Sequence, residues 1–223
     1  MITLCHFLAF LLYCGLYALR KELLILQIMF NPKVSATDYH RTGKAFRFPD
    51  LTLTLCPHCR KRHLKKHGFY RRYYISTEFS GILLIRRHIC PECGRTVSSI
   101  PFFCHPRRAY SSQFIINILT RFFHKPSTLA ACVSSFFADY KVECSRQLLY
   151  RYRKRFISNL NFLSLELLHI LNLKDFAYEN EDRKRARQVL SLIHHTAWTP
   201  PDVTLQLFQN SGHSYLTQLH FRV

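Results

Sequence analysis

Four cysteines form two pairs of identical spacing. Cys56 and Cys59 make one Cys-x-x-Cys turn, and Cys90 and Cys93 make another after 30 intervening residues. Such a turn presents two sulfurs on one side, and zinc accepts four thiolates in a tetrahedron. Gly94 follows the second pair, where a positive φ is commonly needed. The spacing predicts one structural zinc ion. Four thiolates leave no open position for catalytic water, and no single pair in a βαβ context indicates a redox site.

The other cysteines and the nearby histidines could in principle supply ligands as well. Five cysteines lie scattered among apolar neighbours and are interpreted as small buried hydrophobes in a reducing compartment: Cys5, Cys14, Cys104, Cys132 and Cys144. Four histidines near the pairs could each replace a cysteine, although a surface or phosphate-contacting role is more frequent: His58, His63, His67 and His88.

The charge of the chain is strongly one-sided. Lys and Arg number 32 against 13 Asp and Glu, for a formal net charge of +19. Residues 56–160 contain 20 basic and 4 acidic residues, a net of +16. A surface of this kind attracts a polyanion, and the two candidates are a phosphate backbone and anionic lipid.

Basic residues are densest just after the first cysteine pair, where aromatic residues interleave with them. This mixture suits backbone contact and base stacking, and it predicts nucleic-acid contacts. A merely solubilising face is the alternative, but mixed charge would serve that purpose with less self-repulsion. The predicted contacts in this run are Arg60, Lys61, Arg62, Lys65, Lys66, Arg71 and Arg72.

These residues must be positioned by strands. Leu51–Leu55 alternates apolar and polar residues, which predicts a short strand leading into the first pair. Phe69–Ile75 and Ile82–Ile85 predict the two arms of a β-hairpin that brings the cysteine pairs together. Residues 51–106 are therefore predicted to form a zinc ribbon. With 48% hydrophobic residues, the chain has enough apolar side chains to bury a core.

Residues 111–160 change to a helical period, with three candidate N-caps at Ser111-Ser112, at Ser127 or Thr128, and at Ser145. Three short helices, the last one amphipathic and basic, have the layout of a helix-turn-helix. The predicted fold class is therefore α+β, with a small β-hairpin zinc ribbon followed by an α-helical, helix-turn-helix-like segment. A plain helical bundle with a charged outer face is the alternative.

The third of these helices supplies the second group of predicted nucleic-acid contacts. In a helix-turn-helix it enters the major groove, where side chains near its start reach base edges. Arg146 and Gln147 are accordingly the predicted base contacts. The residues predicted to contact phosphates or bases further along the helix are Arg151, Arg153, Lys154 and Arg155.

The two ends of the chain are less informative. Residues 2–19 are apolar enough to reach the lower length of a membrane helix. Residues 1–28 are interpreted as a membrane anchor, a buried helix or a mis-assigned start ahead of Met29, and the body is expected in the cytoplasm in each case. Residues 29–50 are predicted to be a linker. Residues 161–223 are predicted to be a helical extension of unknown role, in which 179–187 form a solvated face.

The cysteine pairs and the residues around them resemble an uncharacterised bacterial zinc-ribbon and helix-turn-helix family, often labelled transposase-like. The resemblance covers about residues 55–160 and implies zinc as cofactor and DNA as target, but no established reaction. The chain departs from the pattern at Arg60, where many ribbons have glycine. The matching segments are Cys56-Pro57-His58-Cys59, Lys66-His67-Gly68, Tyr70, Arg87, Cys90-Pro91, Cys93-Gly94-Arg95-Thr96-Val97-Ser98, Ile100-Pro101 and Leu149–Phe156.

We expect no enzymatic activity from this chain. A transposase needs three spaced carboxylates for two-metal chemistry, and only 63 residues follow Leu160. Their acidic residues are mostly crowded into one charged stretch. The expected function is zinc-dependent binding of nucleic acid, DNA before RNA, as the DNA-binding part of a transposase that is either truncated or acts with a separate catalytic subunit. The alternatives are a membrane-tethered basic protein and a zinc-ribbon module that binds other proteins.

Overall fold

The computed structural model describes residues 27–125, 128–173, 179–195 and 199–217. Strands and helices both contribute to this part of the chain, which confirms the prediction of a mixed fold. The strands are β1 (Gln27–Phe30), β2 (Lys65–Ile75), β3 (Ser80–Ile89) and β4 (Thr96–Pro101). The α-helices are α1 (Ala36–Thr42), α2 (Ser112–His124), α3 (Leu129–Tyr140), α4 (Arg146–Ser158), α5 (Leu160–Leu171), α6 (Asp182–His195) and α7 (Pro200–Ser211).

The four strands form one sheet in the order β1-β4-β3-β2. β2 and β3 are the antiparallel hairpin predicted from the sequence, joined by a tight connection at residues 76–79. β4 returns antiparallel to β3, and β1 pairs with β4 in parallel. The hairpin places the residues before β2 next to those after β3, which is where the two cysteine pairs lie.

Residues 29–50, expected to be a linker, contain regular structure. Met29 is buried within β1, where Gln27 and Ile28 pair with β4. Ser35 then caps α1, and the Tyr39 hydroxyl donates to the Leu84 carbonyl of β3 at 2.8 Å. Aromatic rings on this segment pack over the sheet, so the segment covers one part of the sheet core. The segment is mostly polar, and its few aromatic residues do not recur at a regular helical or strand spacing. The hydrophobic pattern therefore did not predict that it packs on the sheet.

The strand predicted at Leu51–Leu55 is wrong. These residues form a turn in which the Thr54 N–H donates to the Leu51 carbonyl, and only Leu55 makes a single bridge, to His63. Leu53 is 86% exposed and Leu55 is 48% exposed, so the alternation does not mark a buried face. The chain turns here because it must enter the first cysteine pair.

Helices α2 to α7 share one hydrophobic core. The predicted N-caps are confirmed at three helices, since the side chains of Ser111, Thr128 and Ser145 each accept a hydrogen bond from a backbone N–H of the first turn. Phe114 and Phe156 are fully buried at the centre of this core. Residues from α5, α6 and α7 belong to the same core, so the described part of residues 161–223 packs with α2–α4.

The interpretation of residues 179–187 as a solvated face is wrong for α6. Arg185 and Ala186 are buried, and Val189, one turn further along the helix, lies in the core. Arg183 donates to the Phe122 and Lys125 carbonyls at 3.1 and 3.0 Å. Its guanidinium therefore caps backbone carbonyls at the carboxyl end of α2. The many charged residues of this stretch indicated an exposed helix, but residues at helical spacing along one side of it are buried.

The Pro200-Pro201 pair begins α7 rather than ending an element. Thr199 and Asp202 form a capping box there, with proline in the first helical turn. The interpretations of residues 1–28 fall on a segment of which only 27 and 28 are described. Among the helices that the structure does describe, none has the length and apolar character needed to cross a membrane.

Candidate functional site

The two cysteine pairs sit in turns of nearly the same backbone geometry. The Arg60 N–H donates to the Cys56 carbonyl at 2.9 Å, and the Gly94 N–H donates to the Cys90 carbonyl at 3.0 Å. Arg60 (φ 55°) and Gly94 (φ 67°) both have left-handed backbones, as predicted for Gly94. For a residue with a side chain this conformation costs about 1–2 kcal/mol. The first turn therefore keeps a strained arginine where glycine would be relaxed.

The hairpin brings all four sulfurs together. Cys56 Sγ lies 3.7 Å from Cys93 Sγ, and Cys59 Sγ lies 3.5 Å from Cys90 Sγ. All four sulfurs lie within 4.8 Å of one another, so this cluster can hold one metal ion. Cys56 and Cys90 are buried, and the other two are half-buried. Their environment is a small core completed by Leu51, Leu64 and Val97.

Two thiols of the cluster have shifted pKa values, one lowered and one raised. The backbone N–H of Cys93 and then that of Glu92 act against burial and lower the pKa of the Cys90 thiol to about 7. At Cys93 the backbone N–H of Arg95 acts in the same direction, but burial and the neighbouring thiols raise the pKa to about 11. The pKa values of these two thiols are therefore shifted in opposite directions by their surroundings.

The other described cysteines are buried free thiols, as predicted. Burial raises the pKa of Cys104 to about 12 and that of Cys144 to about 11, and it also raises the pKa of Cys132. Cys5 and Cys14 lie outside the described residues. Within the described chain the metal-ligand group consists of cysteines alone, so the histidines near the pairs do not take part in it.

The basic run after the first pair is exposed but partly paired. Lys61 and Arg62 approach the Glu92 carboxylate at 3.9 and 4.0 Å, and Lys66 lies 3.5 Å from Asp50. Such exposed pairs contribute about 0–1 kcal/mol and exchange readily for other anions. The remaining exposed members of the run are Arg60, Lys65 and Arg71.

Arg72 occupies a different position from the rest of the run. Its guanidinium donates to the His105 carbonyl and, at 2.7 Å, to the Arg108 carbonyl in the loop between β4 and α2. Because it is half-buried and bonded to two carbonyls, Arg72 holds this loop against the sheet. A nucleic-acid contact at Arg72 does not fit this position.

Helix α4 separates an apolar face from an exposed polar one. Leu149, Tyr152 and Phe156 are buried in the helical core. Ser145 caps the helix, and the exposed side chains fall on the opposite face at helical spacing. Those exposed side chains are Arg146, Gln147, Tyr150, Arg151 and Lys154.

The two other predicted α4 contacts lie on the flanks of the helix and are half-buried. The Arg153 guanidinium stacks over the Phe122 ring at 5.5 Å, where Arg183 also lies at 5.8 Å. Arg155 donates to the Leu216 carbonyl at 3.4 Å. Both residues therefore make contacts within the chain that the helical period alone did not predict.

Two arginines missed by the sequence analysis lie beside α4. Arg107 is exposed with a left-handed backbone (φ 59°), and Arg108 is half-buried next to it. The local sequence does not indicate which helix their loop approaches. The signal that was present is the Arg-Arg pair itself.

The comparisons with known proteins identify part of the chain. Residues 56–134 match the model of a protein family described as a domain of unknown function (DUF6431). No curated protein and no solved structure matches the chain. The matched stretch contains the cysteine cluster, most of the sheet and α2, and it ends within α3. The family description names neither a zinc ribbon nor a transposase, and α4 lies outside the match.

Proposed function

We propose that this chain is a zinc-dependent protein that binds duplex DNA without acting on it chemically, as the DNA-binding part of a transposase-like system. The observation that carries the proposal is the exposed face of α4, where Arg146 and Gln147 project from a helix whose opposite face is anchored in the core. Arginine and glutamine are the side chains that pair with guanine and adenine edges in the major groove.

Duplex DNA is the polymer that this helix suits best. The major groove of B-form DNA admits an α-helix, whereas that of A-form RNA is too deep and narrow for side chains to read. Helices α2, α3 and α4 are capped and follow one another closely, in keeping with a helix-turn-helix whose third helix is α4. The basic run near the cysteines would then contact backbone phosphates.

Zinc is the metal that best fits the cysteine cluster. With zinc–sulfur bonds of about 2.3 Å, a tetrahedral site has sulfurs about 3.8 Å apart, close to the two separations given above. Four cysteines would fill its coordination sphere, so zinc here would hold the start of β2 and the end of β3 together. The chain's own residues would then position a basic surface, and no chemical step is assigned to the metal.

The proposal is tested by measuring binding to random-sequence duplex DNA, single-stranded DNA and duplex RNA over a range of salt concentrations, with zinc content determined on the same sample. We expect one zinc per chain and tightest binding to duplex DNA, with affinity falling steeply as salt rises. If none of the three polymers is bound at low salt, the result would favour a protein-binding module instead. Equal binding to RNA and DNA duplexes would contradict a major-groove helix.

A further inference from the structure

The loop that carries Arg107 and Arg108 is fixed against one flank of α4. Arg72 holds the Arg108 carbonyl from the sheet side. From the helical side, the Tyr110 hydroxyl donates to the Glu143 carbonyl at 2.7 Å, and the Tyr110 ring lies 6.5 Å from that of Tyr152, edge to face. The loop therefore has a defined position beside α4.

The flank that faces this loop carries two further arginines. Arg151 and Arg155 are four residues apart, so their side chains lie one above the other on the helix. Both lie on the same side of Tyr152, whose ring is buried in the core. Arg155 uses one nitrogen for the Leu216 carbonyl, and its other donors remain available. The loop and the helix that Tyr110 joins thus contribute two arginines each to adjoining segments of the chain.

These four arginines have no acidic partner in the part of the chain that the structure describes. Burial lowers the pKa of Arg108, and the positive charges of Arg155, Arg107 and Arg151 lower it further. Such crowding of like charge is unfavourable in the isolated protein. A bound anion would relieve it, and guanidinium groups bind phosphate oxygens with two parallel hydrogen bonds.

We infer that Arg107, Arg108, Arg151 and Arg155 form a binding site for the backbone phosphates that border the groove occupied by α4. The inference rests on the proposed function and adds a site to it. The site sets how deep α4 lies in the groove, because the loop is held by the sheet while the helix is held by the core. It contributes affinity for every sequence and no preference among bases.

The experiment compares Arg107→Gln, Arg108→Gln and the double variant with wild type on a random-sequence duplex, by the slope of log affinity against log salt concentration. Glutamine keeps most of the aliphatic stem and a polar end, and it removes the positive charge together with the forked guanidinium donors. Each loss should reduce the slope by roughly 1, and affinity should fall alike for all sequences. Lys44→Gln is the control, an exposed cation beyond α1 that should leave the slope unchanged.

Wild-type slopes in the Arg107 and Arg108 variants would overturn this inference while leaving duplex binding intact. Absence of duplex binding by the wild type would overturn the proposed function as well. Thermal unfolding identifies variants that fail to fold, and the exposed Arg107→Gln keeps the test valid if half-buried Arg108 is needed for folding. Binding of millimolar inorganic phosphate that depends on Arg107 and Arg108 but leaves duplex affinity unchanged at constant ionic strength would assign the site to free phosphate and overturn its role at DNA.

Discussion

The cysteine end of the sheet and the helical body achieve stability in different ways. The buried residues around the cluster are Leu51, Cys56, Leu64, Cys90 and Val97, two of which belong to the cysteine cluster itself. The helical body instead has one continuous core through α2 to α7. A core as small as that around the cluster offers little to offset the entropy of ordering two irregular turns, and a metal ion held by the four cysteines would supply a cross-link there. The helical body needs no such cross-link.

The two ends also differ in how they present charge. Near the cysteines, Lys61 and Lys66 lie on turns and strand ends and have acidic neighbours. On α4, the exposed Arg146 and Gln147 project from a regular helix whose opposite side is packed in the core. Exposed basic residues on turns suit contacts with backbone phosphates, which need less exact positioning of the side chain than contacts with base edges. A helix anchored by its core can hold side chains at the precision that base edges require.

The largest effect that distinguishes the two regions is expected from Cys90→Ser. Loss of one thiolate should abolish metal binding and unfold the turns around the cluster, because folding and metal binding are coupled in such units. Helices α2 to α7 should stay folded, since their core does not include the cluster. Metal content by mass spectrometry and amide hydrogen exchange measure the two parts separately.

The matched control is Cys104→Ala, which removes a buried free thiol of the sheet core outside the cluster. It should retain one metal ion per chain and the exchange protection of both turns. Retention of full metal content by Cys90→Ser would contradict the ligand assignment. Loss of protection throughout α2 to α7 would contradict the independence of the helical core.

The converse change is Phe156→Ala in the helical core. Phe156 is fully buried, and its ring lies 6.0 Å from that of Phe123. Truncation should lower the free energy of unfolding by about 3–5 kcal/mol, with metal content unchanged. Thermal or denaturant unfolding measures the loss. Phe137→Ala, at a residue that is 43% exposed, is the control and should change stability by less than about 1 kcal/mol. A similar loss in both variants would count against the core described above.

The sequence predicted the features that depend on local spacing. The two Cys-x-x-Cys pairs, the hairpin between them and the caps at Ser111, Thr128 and Ser145 all follow from residues a few positions apart, and the structure contains each of them. The left-handed backbone at Gly94 follows for the same reason. These signals are strong because the chemistry of a cap or a metal-binding turn admits few residue types.

Features that depend on distant partners were missed. The parallel pairing of β1 with β4 joins residues some 70 positions apart, and no local pattern specifies it. Arg185 reads as part of a solvated charged stretch but lies buried in α6. Arg107 and Arg108 acquire meaning only because their loop lies beside α4. Each case requires knowing which surface covers the residue, which tertiary packing decides.

We propose that α4 contacts bases while the basic residues near the cysteines contact backbone phosphates. The decisive measurement is the ratio of affinities for a preferred duplex, obtained by selection from a random pool, and for the random duplex, in Arg146→Ala, Gln147→Ala and Lys65→Ala. The two α4 variants should lose about 1–3 kcal/mol of discrimination at the base pair that each one contacts. Lys65→Ala should weaken binding to both duplexes alike and keep the ratio. Equal weakening of binding to both duplexes by all three variants would show that α4 does not contact bases.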